Sequence, residues 1–280
     1  MPELPEVETV TNDLRSSVVG AKILHFSSSS PKQIVPALEI VRKALEGAKI
    51  IQVKRRAKLI LLVWQRAKEP EKYLGIHLKM TGRLLLREKG EEEDLHTRAI
   101  FILDKNRELR FCDVRKFGYL RLFLNEKELQ ERVHNRLGPE PFSKEFSLDY
   151  LVNKIKNRNI NIKALVMDQT IISGIGNIYA NEALFLAKIK PHRSARTLEK
   201  KEIELLHKAI KEALQKGIKY RGSSARDENY RDLFGKLGSY QKHFLVYEQK
   251  NKACPRGCGA VLQYERLSGR GTFWCPRCQR

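Results

Sequence analysis

The chain has no apolar run close to the roughly 20 residues needed to cross a bilayer; the longest, Leu59–Trp64, is far too short. Its N-terminus, MPELPEVET, is acidic and lacks the apolar stretch of a secretory signal, so a cytoplasmic protein is expected. Cysteines are few and badly distributed for a disulfide framework: five in all, four of them in the last 27 positions. There is no internal repeat and no long low-complexity segment. Acidic residues are also short, with Asp+Glu 33 against Lys+Arg 54 and a net charge of +21. That surplus favours nucleic acid as partner, because clustered cations displace the counterions condensed on phosphates. A generally basic proteome and a membrane-surface binder remain as alternatives. A length of 280 residues predicts two or three domains, and 41% hydrophobic residues suffice for a core.

Short apolar or alternating runs fill residues 20–125: Ile50–Val53, Leu59–Trp64, Tyr73–Leu78, Arg83–Leu86, Ala99–Leu103, Leu109–Phe111 and Tyr119–Phe123. Turn signals such as Asp104-Lys105-Asn106 separate them, which predicts a sandwich or barrel. One helix precedes this zone, with Val7, Val10, Leu14 and Val18 at helical spacing and Pro5 in its first turn. Residues 126–220 read as helices: Ile160–Met167, Ile178–Ile189 after a Gly-bearing turn, and an amphipathic stretch between Thr197 and Lys219. The stretch after Arg221 is polar and Gly/Ser-rich and reads as a loop. The expected divisions are 1–135, 136–222, 223–249 as loop and linker, and 250–280 as a small module, in an α+β chain.

That last module carries Cys254 and Cys258, then Cys275 and Cys278. Two short-spaced pairs supply the four thiolates of a structural zinc site and leave no open position for catalysis. Gly257 and Gly259 suit a tight metal-binding turn, and the abundance of Lys and Arg makes a nucleic-acid finger the natural reading. Cys112, remote from the others, reads as a core thiol.

If Met1 is removed, the chain begins with the secondary amine of Pro2. An α-amine titrates near pKa ~8 against ~10.4 for lysine, so far more of it is neutral at pH 7. A helix N-terminus nearby would disfavour its ammonium form further and favour the Glu3 carboxylate. Such an amine can attack an aldehyde-like carbon, with Glu3 moving protons beside it. From the residues alone, a solvated terminus is the competing reading.

Six motifs stand in order along the whole chain: PELPEVET (Pro2–Thr9), RRAK (Arg55–Lys58), HLKMTG (His77–Gly82), DVRKFG (Asp113–Gly118), GIGNIYANEALF (Gly174–Phe185) and CPRCQ (Cys275–Gln279). Together they resemble the bacterial formamidopyrimidine-DNA glycosylases. The resemblance implies a bifunctional repair enzyme that excises oxidised purines, chiefly 8-oxoguanine and formamidopyrimidines, and then cleaves the strand by β,δ-elimination. It implies an N-terminal β-sandwich flanked by helices, a helix–two-turn–helix domain and a C-terminal finger holding one structural Zn2+. The partner would be damaged double-stranded DNA, met by a monomer without nucleotide cofactor, in a bacterial cytoplasm at the nucleoid.

By the same resemblance the catalytic set is Pro2 as nucleophile, Glu3 as acid/base, Lys58, which contacts the lesion-flanking phosphate and assists catalysis, and Arg270, which grips phosphates near the lesion. Met80, Arg115 and Phe117 fill the void left by the flipped base. Taken alone, Met80 and Phe117 would read as core residues, but glycines beside them suit exposed loop tips. Asn177, Lys163, His96 and Tyr240 correspond to positions near the DNA; the residues alone also allow Asn177 a plain helix-capping role.

Two departures stand out. DVRKFG has Val114 and Lys116 where the family has proline and arginine, and CPRGC is one residue longer than the common CPRC. The loop at Gly222–Asp227, where the family covers 8-oxoguanine, matches only at its start. An endonuclease VIII-type enzyme for oxidised pyrimidines is one alternative. A zinc-finger protein that only binds DNA is another, and an RNA-binding zinc ribbon a third.

Overall fold

The computed structural model describes every residue except Lys68 and Ala225–Glu228. The described chain divides into two compact units, Met1–Arg136 with Tyr220–Ser239, and Leu137–Lys219 with Tyr240–Arg280.

In the first unit α1 (Leu4–Val18) is followed by β1 (Ile23–Ser28), β2 (Ile34–Val35), α2 (Leu38–Leu45), β3 (Lys49–Arg56), β4 (Leu59–Gln65), β5 (Lys72–His77), β6 (Gly82–Glu88), β7 (Thr97–Leu103), β8 (Arg107–Asp113), β9 (Tyr119–Phe123) and α3 (Glu126–Arg132). The strands form one sheet in the order β1-β7-β8-β6 and another in the order β2-β9-β5-β4-β3. Alternating residues of both, with Val7, Val10, Leu14 and Val18 of α1 fully buried, make the main core, and Leu59, Leu61, Val63, Tyr73 and Phe123 form a smaller one with Leu129 of α3. Tyr230 and Leu233, from the second stretch of this unit, belong to that core, so 220–239 is part of the sandwich domain rather than a free linker. Cys112 is buried, and burial raises its thiol pKa.

The chain changes sheet twice at one end of the sandwich. Residues 78–81 carry it from β5 to β6, and 114–118 carry it back from β8 to β9. The strand ends that flank these crossovers are paired, His77 with Tyr119 and Gly82 with Asp113. The two crossover loops therefore emerge side by side.

The second unit contains α4 (Leu148–Lys156), α5 (Ile162–Met167), α6 (Asn177–Leu186), α7 (Lys200–Lys219) and the hairpin β10 (Gln263–Leu267)–β11 (Arg270–Trp274). The expected separate module at 250–280 is built onto the helices. Phe185 of α6 shares a core with Val246, Leu262, Cys254 and Cys275. Arg256 hydrogen-bonds the last carbonyls of α6 at Phe185 and Leu186, both 3.1 Å, satisfying groups that a helix end leaves orphaned. Buried Glu182 accepts the backbone N–H groups of Leu245, Val246 and Tyr247, holding the segment that leads into the finger. No described helix is long and apolar enough to cross a membrane.

Candidate active site and nucleic-acid interface

Pro2 is buried and directly precedes Glu3, the N-cap residue of α1. The sequence builds this start reciprocally: the Glu3 N–H donates to Oε2 of Glu6 at 2.8 Å. Glu6 is itself buried, and its other oxygen accepts the Ser223 N–H at 2.8 Å. One carboxylate thus ties the N-terminal residues to the start of the loop that begins at Gly222. Sequence reasoning passed over Glu6; its signal was a second acid three residues after an acidic cap. The expected lesion-covering segment lies partly at 225–228, outside the described residues.

Lys58 sits in the two-residue turn joining β3 and β4, where Ala57 takes φ 54°. It is only 8% exposed, so it is no member of a solvated charge run. Its neighbour Arg55 is committed elsewhere, donating to Glu8 at 2.5 Å. Burial alone would raise the Glu8 pKa, but Arg55 and Arg15 outweigh it and hold the carboxyl below its ordinary value.

His77 pairs with Leu59 across the sheet, one residue from Lys58. Burial first, and then the charges of Lys79 and Lys58, push its pKa from 6.5 down to about 3. Its Nδ1 accepts the Lys79 N–H at 3.0 Å, which assigns the remaining proton to Nε2. A neutral imidazole with an Nε2–H donor, close enough to Lys58 to feel its charge, is suited to an anion. His77 lies within the HLKMTG motif, but the motif carries no sign of this tuning, which depends on cross-strand neighbours. As pH falls from about 6.5 to about 3, the unfolded ring binds a proton that the folded one refuses. Each pH unit in that window should therefore cost about 1.4 kcal/mol of stability. Chemical denaturation across pH 3.5–6.5 should show a flatter dependence in His77→Gln, and identical slopes would reject the assignment.

Met80 is half-buried in the 78–81 crossover, whereas Phe117 at 54% exposure stands out of the 114–118 crossover. The Arg115 guanidinium lies 4.7 Å from the Phe117 ring centroid, a stacked cation–π pair. The two apolar tips therefore sit on adjacent loops, and Phe117 is not a core residue. His96 is half-buried in the loop before β7 with φ 66°, and its ring nitrogen lies 3.3 Å from Arg98.

In the second unit Asn177 opens α6, but Gly176 holds the N-cap position, so Asn177 is a first-turn residue and not the cap. Lys163 is 1% exposed and donates to the Gly271 carbonyl and to Thr272 Oγ1, both at 2.7 Å. It braces the finger hairpin from within. Arg270 is exposed at the tip of that hairpin, beside a two-residue turn whose Ser268 and Gly269 both have positive φ. Tyr240 is also buried, its ring stacked on Tyr179 at 5.4 Å and 10°.

The four cysteine sulfurs of Cys254, Cys258, Cys275 and Cys278 lie within 4.8 Å of one another. Two of the Sγ–Sγ distances are 3.8 and 3.5 Å. A tetrahedron with Zn–S bonds of ~2.3 Å has edges of ~3.8 Å, so the set fits one zinc ion. The additional residue of CPRGC is absorbed because Gly257 adopts φ 67°, a left-handed turn that closes on the Cys254 carbonyl at 3.0 Å.

A sandwich with paired crossover loops, a helical unit and a four-cysteine finger define the class: a zinc-finger DNA-repair glycosylase of the helix–two-turn–helix type. Residues 1–120 match the formamidopyrimidine-DNA glycosylase N-terminal domain, 137–229 its H2TH domain, and 251–280 the zinc finger found in FPG and IleRS. The chain is 41% identical over 285 residues to the formamidopyrimidine-DNA glycosylase of Heliobacterium modesticaldum, covering all of both chains. It is similar to Lactococcus lactis Fpg solved with abasic-site DNA, with TM-score 0.90, 34% identity and 99% of each chain covered. A variant of that enzyme solved with Fapy-dG DNA matches at TM-score 0.91, 34% identity and 100% of each chain. The chain belongs to the formamidopyrimidine-DNA glycosylase family, bifunctional glycosylase/AP lyases with one structural zinc.

Proposed function

We propose that this chain removes formamidopyrimidines and 8-oxoguanine from duplex DNA through Pro2, and that it also opens abasic sites. What carries the reading is the Pro2-Glu3 pair set on the cap of α1, in a chain related to glycosylases over its full length. With Met1 attached, the Pro2 nitrogen is an amide without a usable lone pair; removal of Met1 frees a secondary amine. That amine attacks C1′, the C1′–N9 bond breaks, and the base leaves with the electron pair and takes up a proton. Glu3 delivers a proton to the ring oxygen as the sugar opens, giving an iminium between Pro2 and C1′. The iminium acidifies C2′–H, so loss of that proton expels the 3′ phosphate. A second elimination expels the 5′ phosphate, and water releases the sugar remnant and the amine. No redox step is involved.

Lys58, His77, Asn177 and Arg270 hold phosphates around the lesion. Lys163 and Tyr240 act indirectly, the first by bracing the Arg270 hairpin and the second through its stack on Tyr179. His96 approaches the backbone from the loop before β7. Unstacking a base costs a few kcal/mol, which Met80 and Phe117 offset by filling the vacated stack while Arg115 pairs with the orphaned cytosine. The zinc holds the shape of the finger. The chain runs from the sandwich unit through the helical domain to the finger, with Tyr220–Ser239 belonging to the sandwich unit, and the protein works as a monomer in a bacterial cytoplasm, at the nucleoid.

Cleavage of matched duplexes separates the alternatives. We expect 8-oxoguanine:cytosine to be cut at least about tenfold faster than thymine-glycol:adenine, a difference of about 1.4 kcal/mol in transition-state binding. The reverse ranking would indicate the pyrimidine-specific type, and binding without cleavage a mere DNA-binding protein.

A further inference from the structure

The side chain of Asp113, at the end of β8, is 1% exposed and lies between the two crossover loops. Its Oδ1 accepts the Thr81 hydroxyl at 2.5 Å. Its Oδ2 accepts the Gly118 N–H at 2.8 Å and Nε2 of Gln33 at 3.0 Å. Thr81 passes the link on, since its Oγ1 accepts the Arg115 N–H at 3.1 Å. Gln33 also donates to the Gly118 carbonyl at 2.8 Å. The backbone of Asp113 is equally engaged: its N–H donates to the His96 carbonyl at 3.0 Å, and its carbonyl accepts Nε of Arg98 at 2.9 Å.

Two loops of the sandwich, the first bearing Met80 and the second bearing Arg115 and Phe117, thus share one buried carboxylate. There is no room for slack at the contact. A Cβ on Gly118 would stand 2.7 Å from the Phe111 ring, 2.9 Å from the His77 carbonyl and 3.1 Å from Oδ2 of Asp113. Hydrogen bonds to a buried charge are about twice as strong as neutral ones, and breaking one leaves its partner unsatisfied. Val114, 44% exposed, lacks the fixed φ of a proline, which leaves the second loop to be held by these hydrogen bonds.

We propose that Asp113 is a positioning residue for base extrusion: it locks the Met80 loop and the Arg115–Phe117 loop into one wedge. The proposal rests on the base-flipping reading above and assigns a role to a group that touches neither the lesion nor the sugar. It implies that disturbing the lock harms steps that need a paired base driven out of the stack, and spares steps that do not.

The test compares Asp113→Asn and Thr81→Val with the unaltered protein on two duplexes, 8-oxoguanine:cytosine and a preformed abasic site. Cleavage of the first should fall roughly ten- to a hundredfold, the effect of one or two charge-assisted hydrogen bonds. Cleavage and borohydride trapping of the second should fall much less. Backbone amide exchange at 114–118 should speed up in both variants without DNA, and the double variant should be no worse than the poorer single one. Equal losses on both duplexes, or unchanged exchange at 114–118 in Thr81→Val, would overturn the proposal. Failure of the unaltered protein to be trapped on the abasic duplex would instead refute the underlying functional reading, and the exchange data would still report on the lock.

Discussion

A chain carrying an uncleaved N-terminal extension should form no borohydride-trappable adduct with DNA, and base excision should fall by about 10³-fold or more. That is the scale on which removing an activated nucleophile acts. The extension need not disturb the fold: Met1 is already 44% exposed, while the α1 cap and its link to Glu6 are made by residues from Glu3 onward. Binding to duplex DNA should therefore persist when catalysis is gone. Pro2→Gly is the finer probe, since it keeps a terminal amine but loses the proline ring and should also lose excision. Glu3→Gln separates proton transfer from attack. It should lower excision by about 10²–10⁴-fold, the usual contribution of a positioned acid or base. A tagged enzyme of full activity would remove Pro2 from the mechanism.

Stripping the metal, or replacing Cys275 by Ser, should have a comparably large effect on a different quantity. Structural zinc in small fingers contributes about 10–16 kcal/mol at neutral pH, more than such a hairpin can recover by packing. Cys275 is fully buried in the core that joins the finger to α6, so its loss should loosen Arg270, Thr272 and the carbonyl that Lys163 holds. DNA affinity should then collapse, while the sandwich unit keeps its own melting transition. Calorimetry with and without chelator, beside a binding titration, reads both. Loss of catalysis with unchanged DNA binding would contradict a purely structural zinc.

Much of this was legible beforehand because its signals are local. The runs at Leu59–Trp64 and Tyr119–Phe123 became β4 and β9 nearly residue for residue, and the four valine and leucine positions of the first helix are all buried. The cysteine spacing alone indicated the metal. β1 went unread because a register shift between Ile23 and His25 breaks its alternation. α2 is eight residues long with no side-chain cap. α4 did carry a start signal, Ser147, whose hydroxyl accepts the Tyr150 N–H at 3.1 Å.

What sequence could not convey is how a side chain is used once distant segments meet. Lys163 is expected near the DNA by resemblance, yet its partners Gly271 and Thr272 lie within the chain, more than a hundred positions away. Tyr240 reads as a polar contact but stacks on Tyr179. Residues 223–249 read as loop and linker, because the placement of Tyr230 and Leu233 in the sandwich core is decided by tertiary packing. His77 and Asp113 carry ordinary motif letters, and their character comes from burial and cross-strand partners.

In the proposed mechanism the Pro2 nitrogen is the atom that bonds to DNA. The untagged protein should be incubated with an 8-oxoguanine:cytosine duplex under borohydride, and the cross-linked peptide identified by mass spectrometry. A reduced adduct on the Pro2 nitrogen is expected, with δ-elimination products when borohydride is omitted. An adduct on a lysine such as Lys58, or efficient strand cleavage with no adduct at all, would contradict it.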